Sequence, residues 1–320
     1  MKKLIVLTTL GIALLVLSDD WGAGVGSYDR VVAAQDQGVT ARDAAYYNQA
    51  VSLDQAVLRA ETGRLISSFY PSVSDVALPS VVAKAALVGD VETAEVYFGL
   101  HEEERWPLAS ITKLMSAVIV FQEMDLSQEI VVTPKEAGGR NGGVLLETGE
   151  RYSAHDLVRA TLMASNNEAI ESLAVAYGWE KFMSRINSLA REIGMTHAHF
   201  VDPTGFSVAN QATPRDLLKL VRFLYQKYPE ILEITREKEA VIREREGGKT
   251  RELKSTHAFA GQDAFLGGKT GYTEDAGGNL LSIFRHEGRP IAIVVLGAEN
   301  RSHETEQLFT WFTTHYRLGE

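Results

Sequence analysis

The stretch Trp106-Pro107-Leu108-Ala109-Ser110-Ile111-Thr112-Lys113-Leu114-Met115 is where the reading of this chain begins. Pro107 breaks the preceding segment, and the spacing of apolar residues predicts an amphipathic helix from Ser110 to Met124. Residues three apart on a helix share a face, so the Lys113 amine can reach the Ser110 hydroxyl. A free lysine, with a pKa near ~10.4, is protonated at neutral pH and is a poor base. Burial and a second nearby cation would lower that pKa and let Lys113 take the serine proton. A backbone N–H at the helix start can also face a developing oxyanion. Alone, a Ser-x-x-Lys is more often an N-cap serine followed by an exposed lysine.

Two more motifs follow it in order. Ser165-Asn166-Asn167 lies between two predicted helices. Taken alone, it reads as capping by Ser and Asn. The functional reading makes Ser165 a proton shuttle and has Asn167 donate its side-chain amide to a substrate carbonyl. Lys269-Thr270-Gly271 sits in the run Gly267 to Thr273. A phosphate loop would need a glycine five residues before the Gly-Lys pair. That position is Asp263, and for Gly248-Lys249-Thr250 it is Arg243, so both fail. The better reading is a strand whose glycines admit a substrate backbone, with Lys269, Thr270 and Thr273 holding an anionic group. A nucleophile, an amine base, a second hydroxyl, an amide and a cation together suit acyl transfer through a serine ester.

The chain has 320 residues, 45% of them hydrophobic, enough for one large domain or two modest ones. Its net charge of -10 argues against nucleic acid or an anionic membrane surface as partner. With no cysteine, thiol catalysis, thiolate metal sites and disulfides all drop out. The eight histidines form no His-Glu-x-x-His, and His197-Ala198-His199 reads as a structural loop, so no metal or cofactor is expected. Lys2 and Lys3 precede a mostly apolar run from Leu4 to Leu17, short for a spanning helix and suited to a signal segment. Residues 1–18 are therefore expected to be a cleaved signal or a retained anchor. Either one sends the rest of the chain across the cytoplasmic membrane, and this segment is the one expected membrane contact.

Residues 19–76 read as a spacer, Gly-rich at first and then helix-favouring from Thr40 to Phe69, until Pro71 and Pro79 break the pattern. Residues 77–320 read as the catalytic domain. Val81 to Val88 and Glu95 to Leu100 are expected strands, with Gly89-Asp90 in the turn region. Helices are expected over Asp156–Met163, Glu168–Tyr177, Glu180–Ile193, Pro214–Tyr228 (with Thr213 as N-cap) and Ser302–Tyr316. A charged hairpin is expected around Gly247-Gly248, and strands over Ala264–Thr273, Asn279–Arg285 and Ile291–Leu296. Strands at both ends with helices between them predict an α+β domain, one antiparallel sheet joining the ends and flanked by helices.

The order Ser-x-x-Lys, Ser-x-Asn, Lys-Thr-Gly resembles the penicillin-binding serine D,D-peptidases and serine β-lactamases. The nucleophile segment quoted above, Phe200-Val201-Asp202-Pro203-Thr204-Gly205 with Pro214-Arg215-Asp216, and Lys269 to Thr273 look like the low-molecular-mass D-alanyl-D-alanine carboxypeptidase and endopeptidase group. The similarity runs from about Val81 to Tyr316. It implies a five-stranded antiparallel sheet and an acyl-enzyme on Ser110 with Lys113 as base. It implies that Ser165 passes a proton to the leaving amine. Backbone N–H groups of Ser110 and Tyr272 would form the oxyanion hole. Asn167, Lys269, Thr270, Gly271, Tyr272 and Thr273 would bind the substrate, a D-Ala-D-Ala stem peptide of peptidoglycan, and β-lactams would be covalent inhibitors. The carboxypeptidase branch often carries a C-terminal β-rich domain and terminal anchor, whereas here a long N-terminal segment puts any tether at the front. That keeps endopeptidase action on crosslinks open beside carboxypeptidase action. Asn166, the middle residue of the second motif, carries no role in the resemblance.

A class A β-lactamase would need a deacylating glutamate between the second and third motifs. Between Glu192 and Glu230 there is none, so a β-lactam is expected to leave a slow, inhibited acyl-enzyme. The other class of reading is a non-catalytic cell-wall binding or sensor module that kept the fold, against which stand three intact motifs.

Overall fold

Alternate residues of the central strands face two different cores, and this arrangement positions everything else. The computed structural model describes residues 6–9, 12–15, 68–72, 76–133 and 145–319. It divides into two units, Met1–Ile66 and Ser67–Glu320. In the first, Val6–Thr9 pairs antiparallel with Ile12–Leu15. The remainder of the expected signal segment, and the expected helix from Thr40 as far as residue 67, lie outside the described residues. No helix among the described residues is long and apolar enough to cross a membrane.

In the second unit, β1 (Ala85–Asp90), β2 (Val96–Leu100), β3 (Phe265–Thr273), β4 (Gly277–His286) and β5 (Arg289–Ala298) form one sheet in the order β3-β4-β5-β1-β2. Every neighbouring pair is antiparallel, so the expected α+β class and five-stranded sheet are what the chain adopts. The two ends of the domain meet where β5 pairs with β1, Ile293 opposite Val88 and Val295 opposite Ala86.

Side chains on a strand alternate between faces. Leu87, Leu281, Ile283, Val294 and Leu296 enter one core. Val88, Leu280, Phe284, Ile293 and Val295 enter the other. Because both faces are covered, the strands read as near-continuous apolar runs. The larger core is closed by α1 (Lys113–Glu123), α2 (Ala154–Met163), α3 (Asn167–Tyr177), α4 (Trp179–Glu192), α5 (Pro214–Lys227) and α6 (Pro229–Arg236). The smaller is closed by Leu308, Trp311 and Phe312 of α7 (Arg301–His315). Thr213 caps α5 as expected, its hydroxyl accepting from Asp216 N at 3.1 Å, with Pro214 first in the helix.

Several local readings change. β1 starts later than Val81 and continues through Gly89-Asp90, because Asp90 Oδ1 caps the turn beyond it by accepting from Glu92 N (2.7 Å) and Thr93 N (2.9 Å). The nucleophile helix is not α-helical from Ser110: Ala109–Thr112 is a 3-10 turn, and the α-helix starts at Lys113. Helix α6 and the short pair Glu129–Val131 with Arg151–Ser153 were not anticipated. Each is too short for periodicity to show. Phe69 is not the end of a helix. Phe69–Pro71 is a strand paired with Tyr316–Leu318, within the unit Ser67–Glu320.

Phe69 seals the smaller core, with its ring centroid 5.1 Å from Phe312, 5.5 Å from His286 and 6.0 Å from Tyr97. Phe69→Ala is expected to cost about 3 kcal/mol and to lower the thermal midpoint by roughly 10 °C, readable by calorimetry.

Candidate active site

The Ser110 turn is held in a conformation it would not choose alone. Ala109 has φ 48°, in the left-handed region, immediately before the serine. Non-glycine residues held there cluster at functional sites. Two glycines press on this turn. A Cβ on Gly205, whose own φ is +83°, would lie 1.8 Å from Ala109 O. A Cβ on Gly271 would lie 2.6 Å from Leu108 O and 3.2 Å from Ser110 N. The central loop and strand β3 thus clamp the serine from two directions.

Lys113 is fully buried, and its Nζ has three oxygen neighbours: Ser110 Oγ at 2.8 Å, Asn167 Oδ1 at 2.7 Å and Thr204 O at 2.9 Å. Burial pushes the amine down to about 7, although Asp202 and Glu171 nearby pull it up. The expected helper cation is not what lowers it; desolvation is. A neutral amine has two hydrogens and one lone pair. Thr204 O and Asn167 Oδ1 can only accept, so they take the two hydrogens. The lone pair is left facing the Ser110 hydroxyl, which can donate to it. That is a general base aimed at a nucleophile.

The other acceptor positions come from a densely bonded loop. Asp202 Oδ1 accepts from Thr204 N and Gly205 N, each at 2.8 Å, and from Thr204 Oγ1 at 2.7 Å. Ser116 Oγ of α1 donates to Pro203 O at 2.7 Å. Asn210 Nδ2 donates to Asp202 O at 2.8 Å, and Leu108 N donates to Asn210 O at 2.8 Å. Thr204 O is therefore fixed against both the helix and the serine turn.

In the second motif, Ser165 has φ 58° and its Oγ lies 3.0 Å from Lys269 Nζ. Asn166, which carries no role in the resemblance, does the capping that the motif taken alone suggests. It caps α3 by accepting from Ala169 N at 2.7 Å. That cap sets Asn167 as the first helical residue, with its Oδ1 on Lys113.

In the third motif, Lys269 Nζ also donates to Thr270 O at 3.0 Å. Burial, then Lys113 and Arg301, push its pKa well below the usual lysine range. An arriving anion would restore the charge, because an opposite charge favours the protonated form. Thr270 Oγ1 lies 2.8 Å from Thr256 Oγ1. Thr273 stands apart from this group, its Oγ1 accepting from Ala276 N at 3.1 Å in the turn to β4. The glycines of β3 also serve the packing of the strand. A Cβ on Gly267 would meet Thr235 and Leu232 of α6, and one on Gly268 would lie 2.1 Å from Leu281 O. They let neighbouring protein approach.

Residues 72–300 match the family model described as D-alanyl-D-alanine carboxypeptidase. The chain belongs to this family of serine peptidases. It is 30% identical over 248 residues to the D-alanyl-D-alanine endopeptidase of Escherichia coli, covering 74% of this chain and 79% of that one. It is also 30% identical over 260 residues to the E. coli D-alanyl-D-alanine carboxypeptidase DacC, covering 76% of this chain and 64% of that one. Among solved structures it resembles penicillin-binding protein D2 of Listeria monocytogenes in its ampicillin-bound form, with TM-score 0.66, 27% identity, and coverage of 73% of this chain and 98% of that one.

The fold brings Ser110, Lys113 and Asn167 into one bonded group, and Ser165, Lys269 and Thr270 into another. Reading the sequence motif by motif missed three contributors. Asp202 signalled itself weakly, since Asp-x-Thr-Gly is loop-forming chemistry. Thr256, whose N donates to Met163 O at 2.9 Å, carried no signal. Nor did Arg301, which donates from Nη1 to Gly271 O at 2.6 Å. His197 and His199 are loop residues as expected, His199 exchanging backbone hydrogen bonds with Gln211. Among the described residues no group of ligands could hold a metal.

Gly205→Ala is expected to destabilise the domain by about 3 kcal/mol, because both the positive φ and the contact with Ala109 O oppose a side chain. A shift of the denaturant midpoint at unchanged slope would register it.

Proposed function

We propose that Ser110, Lys113 and Ser165 are the catalytic residues of a D-alanyl-D-alanine carboxypeptidase acting on peptidoglycan stem peptides. The observation that carries this reading is the buried Lys113 amine, whose two acceptor-only neighbours turn its lone pair toward Ser110. Ser110 Oγ attacks the carbonyl of the penultimate D-alanine as Lys113 takes its proton. The developing oxyanion meets the backbone N–H groups of Ser110 and Tyr272, and losing one such donor would slow the reaction about a hundredfold or more. The C–N bond breaks, and Ser165 delivers a proton to the departing amine of the terminal D-alanine. Lys269 and Thr270 hold that residue's carboxylate, on strand β3 next to Gly271, while Thr273 supports the end of the strand. Asn167 keeps its amide nitrogen for the substrate's peptide carbonyl. Water then hydrolyses the Ser110 ester.

The same residues would acylate with a β-lactam, and the lack of a glutamate between Glu192 and Glu230 supports a slow escape. Residues 1–18, with Lys2, Lys3 and the apolar run behind them, are read as the signal or anchor that places the domain outside the cytoplasmic membrane. Residues 19–76 are read as the spacer that follows it. A second reading, cleavage of peptidoglycan crosslinks, is favoured by the endopeptidases of E. coli and Pseudomonas aeruginosa, which are 30% and 29% identical to this chain.

Mixing the protein with benzylpenicillin should give a covalent adduct by intact mass, absent in Ser110→Ala and slowed roughly 10²–10⁴-fold in Lys113→Ala. A folded wild-type protein that gives neither adduct nor D-alanine release would sink the enzyme reading in favour of a binding module. Digestion of purified crosslinked muropeptides then separates carboxypeptidase from endopeptidase action. The pH profile supplies an independent check. Lys113 must be neutral to act, and the neutral fraction grows as pH rises through about 7. Acylation should therefore climb tenfold per pH unit below that value and level off above it, whereas an ordinary lysine would still be climbing at pH 9.

A further inference from the structure

Carboxylates from two parts of the chain act on the buried amine of Lys113. Burial lowers its pKa, and Asp202 of the central loop, then Glu171 of α3, pull it back up. Lys269 of β3, the other buried amine, interacts with it too. Asp202 has a second hold on this amine. Thr204 O lies 2.9 Å from Lys113 Nζ. The N and Oγ1 of that same threonine donate to Asp202 Oδ1, at 2.8 and 2.7 Å. One residue therefore joins the carboxylate to the base.

The carboxylate is fixed by its other partners. Gly205 N at 2.8 Å and Phe206 N at 3.3 Å donate to Oδ1, and Ser207 N donates to Oδ2 at 2.9 Å. A carboxylate can only accept, and each of these groups donates. The backbone is tied as well. The fully buried Asn210 accepts from Asp202 N at 3.3 Å and donates to Asp202 O at 2.8 Å. Ser116 Oγ, three residues after Lys113 on α1, donates to Pro203 O at 2.7 Å. The loop brings a carbonyl and a negative charge to the amine as one unit, and the two do different things. Thr204 O takes an amine hydrogen and so aims the lone pair. The charge favours the protonated amine and so sets the pH at which the lone pair becomes free.

We propose that Asp202 is a positioning residue for the general base, holding Thr204 O against the Lys113 amine and setting a negative charge behind that contact. The inference rests on the reading of Lys113 as general base. Asp202 touches no reacting atom and acts through Thr204 and through its field. A base of lower pKa is a weaker proton acceptor, so the carboxylate keeps Lys113 basic enough to take the serine proton.

Acylation of the full-length protein by benzylpenicillin, followed by intact mass across about pH 5 to 9, tests this. Asp202→Asn keeps an oxygen for Thr204 and Gly205 but removes the charge. Its acid limb should move down by about one pH unit, because the protonated amine has lost a stabilising neighbour. Asp202→Glu keeps the charge and displaces the oxygens. Its midpoint should stay near that of wild type, while the limiting rate at saturating penicillin falls about a hundredfold with little change in binding constant. A residue that only stabilised the fold would change the fraction of protein that acylates, and neither of these quantities. Glu123→Gln, at the far end of α1, controls for net charge and should leave the midpoint in place. An Asp202→Asn midpoint that does not fall, an equal fall in Glu123→Gln, or a wild-type limiting rate in Asp202→Glu would overturn the proposal. Wild-type acylation with no acid limb would instead remove the general-base reading, and this inference with it.

Discussion

A lysine amine buried away from solvent is the constraint on which this domain depends. Lys113 cannot keep its charge cheaply inside the protein, and desolvation brings it to about 7. Its three neighbours come from three places in the chain: the 3-10 turn at Ser110, the start of α3, and the loop after Asp202. Moving any of these by an ångström would leave a buried hydrogen or lone pair without a partner, an expensive state in a low dielectric. Much of the remaining architecture can be understood as what keeps these pieces in register.

The sheet supplies the rigid part. Covered on both faces, β3 is held by β4 along its length and by α6 through Thr235, whose Oγ1 accepts from Gly268 N at 2.9 Å. His257 packs behind the same strand, its Nε2 3.1 Å from Leu281 O, and burial keeps its pKa down at about 3, so it stays neutral. The strand's glycines let these neighbours approach, which is why Lys269 can sit at a buried position and still meet Ser165. Two of the five non-glycine residues with positive φ among the described residues stand at the site. Ala109 and Ser165 both lie in the left-handed region, one before the nucleophile and one at the proposed proton shuttle. Surrounding contacts over-determine them, as such residues require.

Carboxypeptidase and endopeptidase action call for the same proton transfers, so under the proposed roles the bonded groups at Lys113 and Lys269 would serve either. The difference must lie in the walls of the cleft. The loop from Val201 to Asn210 meets Lys113 through Thr204 O, with its backbone tied to Asp202 and Asn210 and with Val201, Phe206 and Val208 exposed.

The sequence by itself determined the sheet, the helix order and the chemical parts. The apolar strand runs, the Thr213-Pro214 cap and the three motifs are local properties, and local physics was enough to read them. It also pointed to Ser110 and Lys113, because three residues of spacing survive the change from α to 3-10 geometry. What only the tertiary structure decided is how the parts are wired. Asn166 as cap and Asn167 as partner of Lys113, Arg301 on Gly271 O, and Thr256 on Thr270 all join residues far apart in the chain or depend on a backbone turn that no periodicity encodes. The role of the β3 glycines belongs there too, since a glycine's sequence position says that something comes close but not what. Phe69 shows the same limit from the other side: its neighbours in sequence favour helix, and its partners Tyr316 to Leu318, at the far end of the chain, make it a strand.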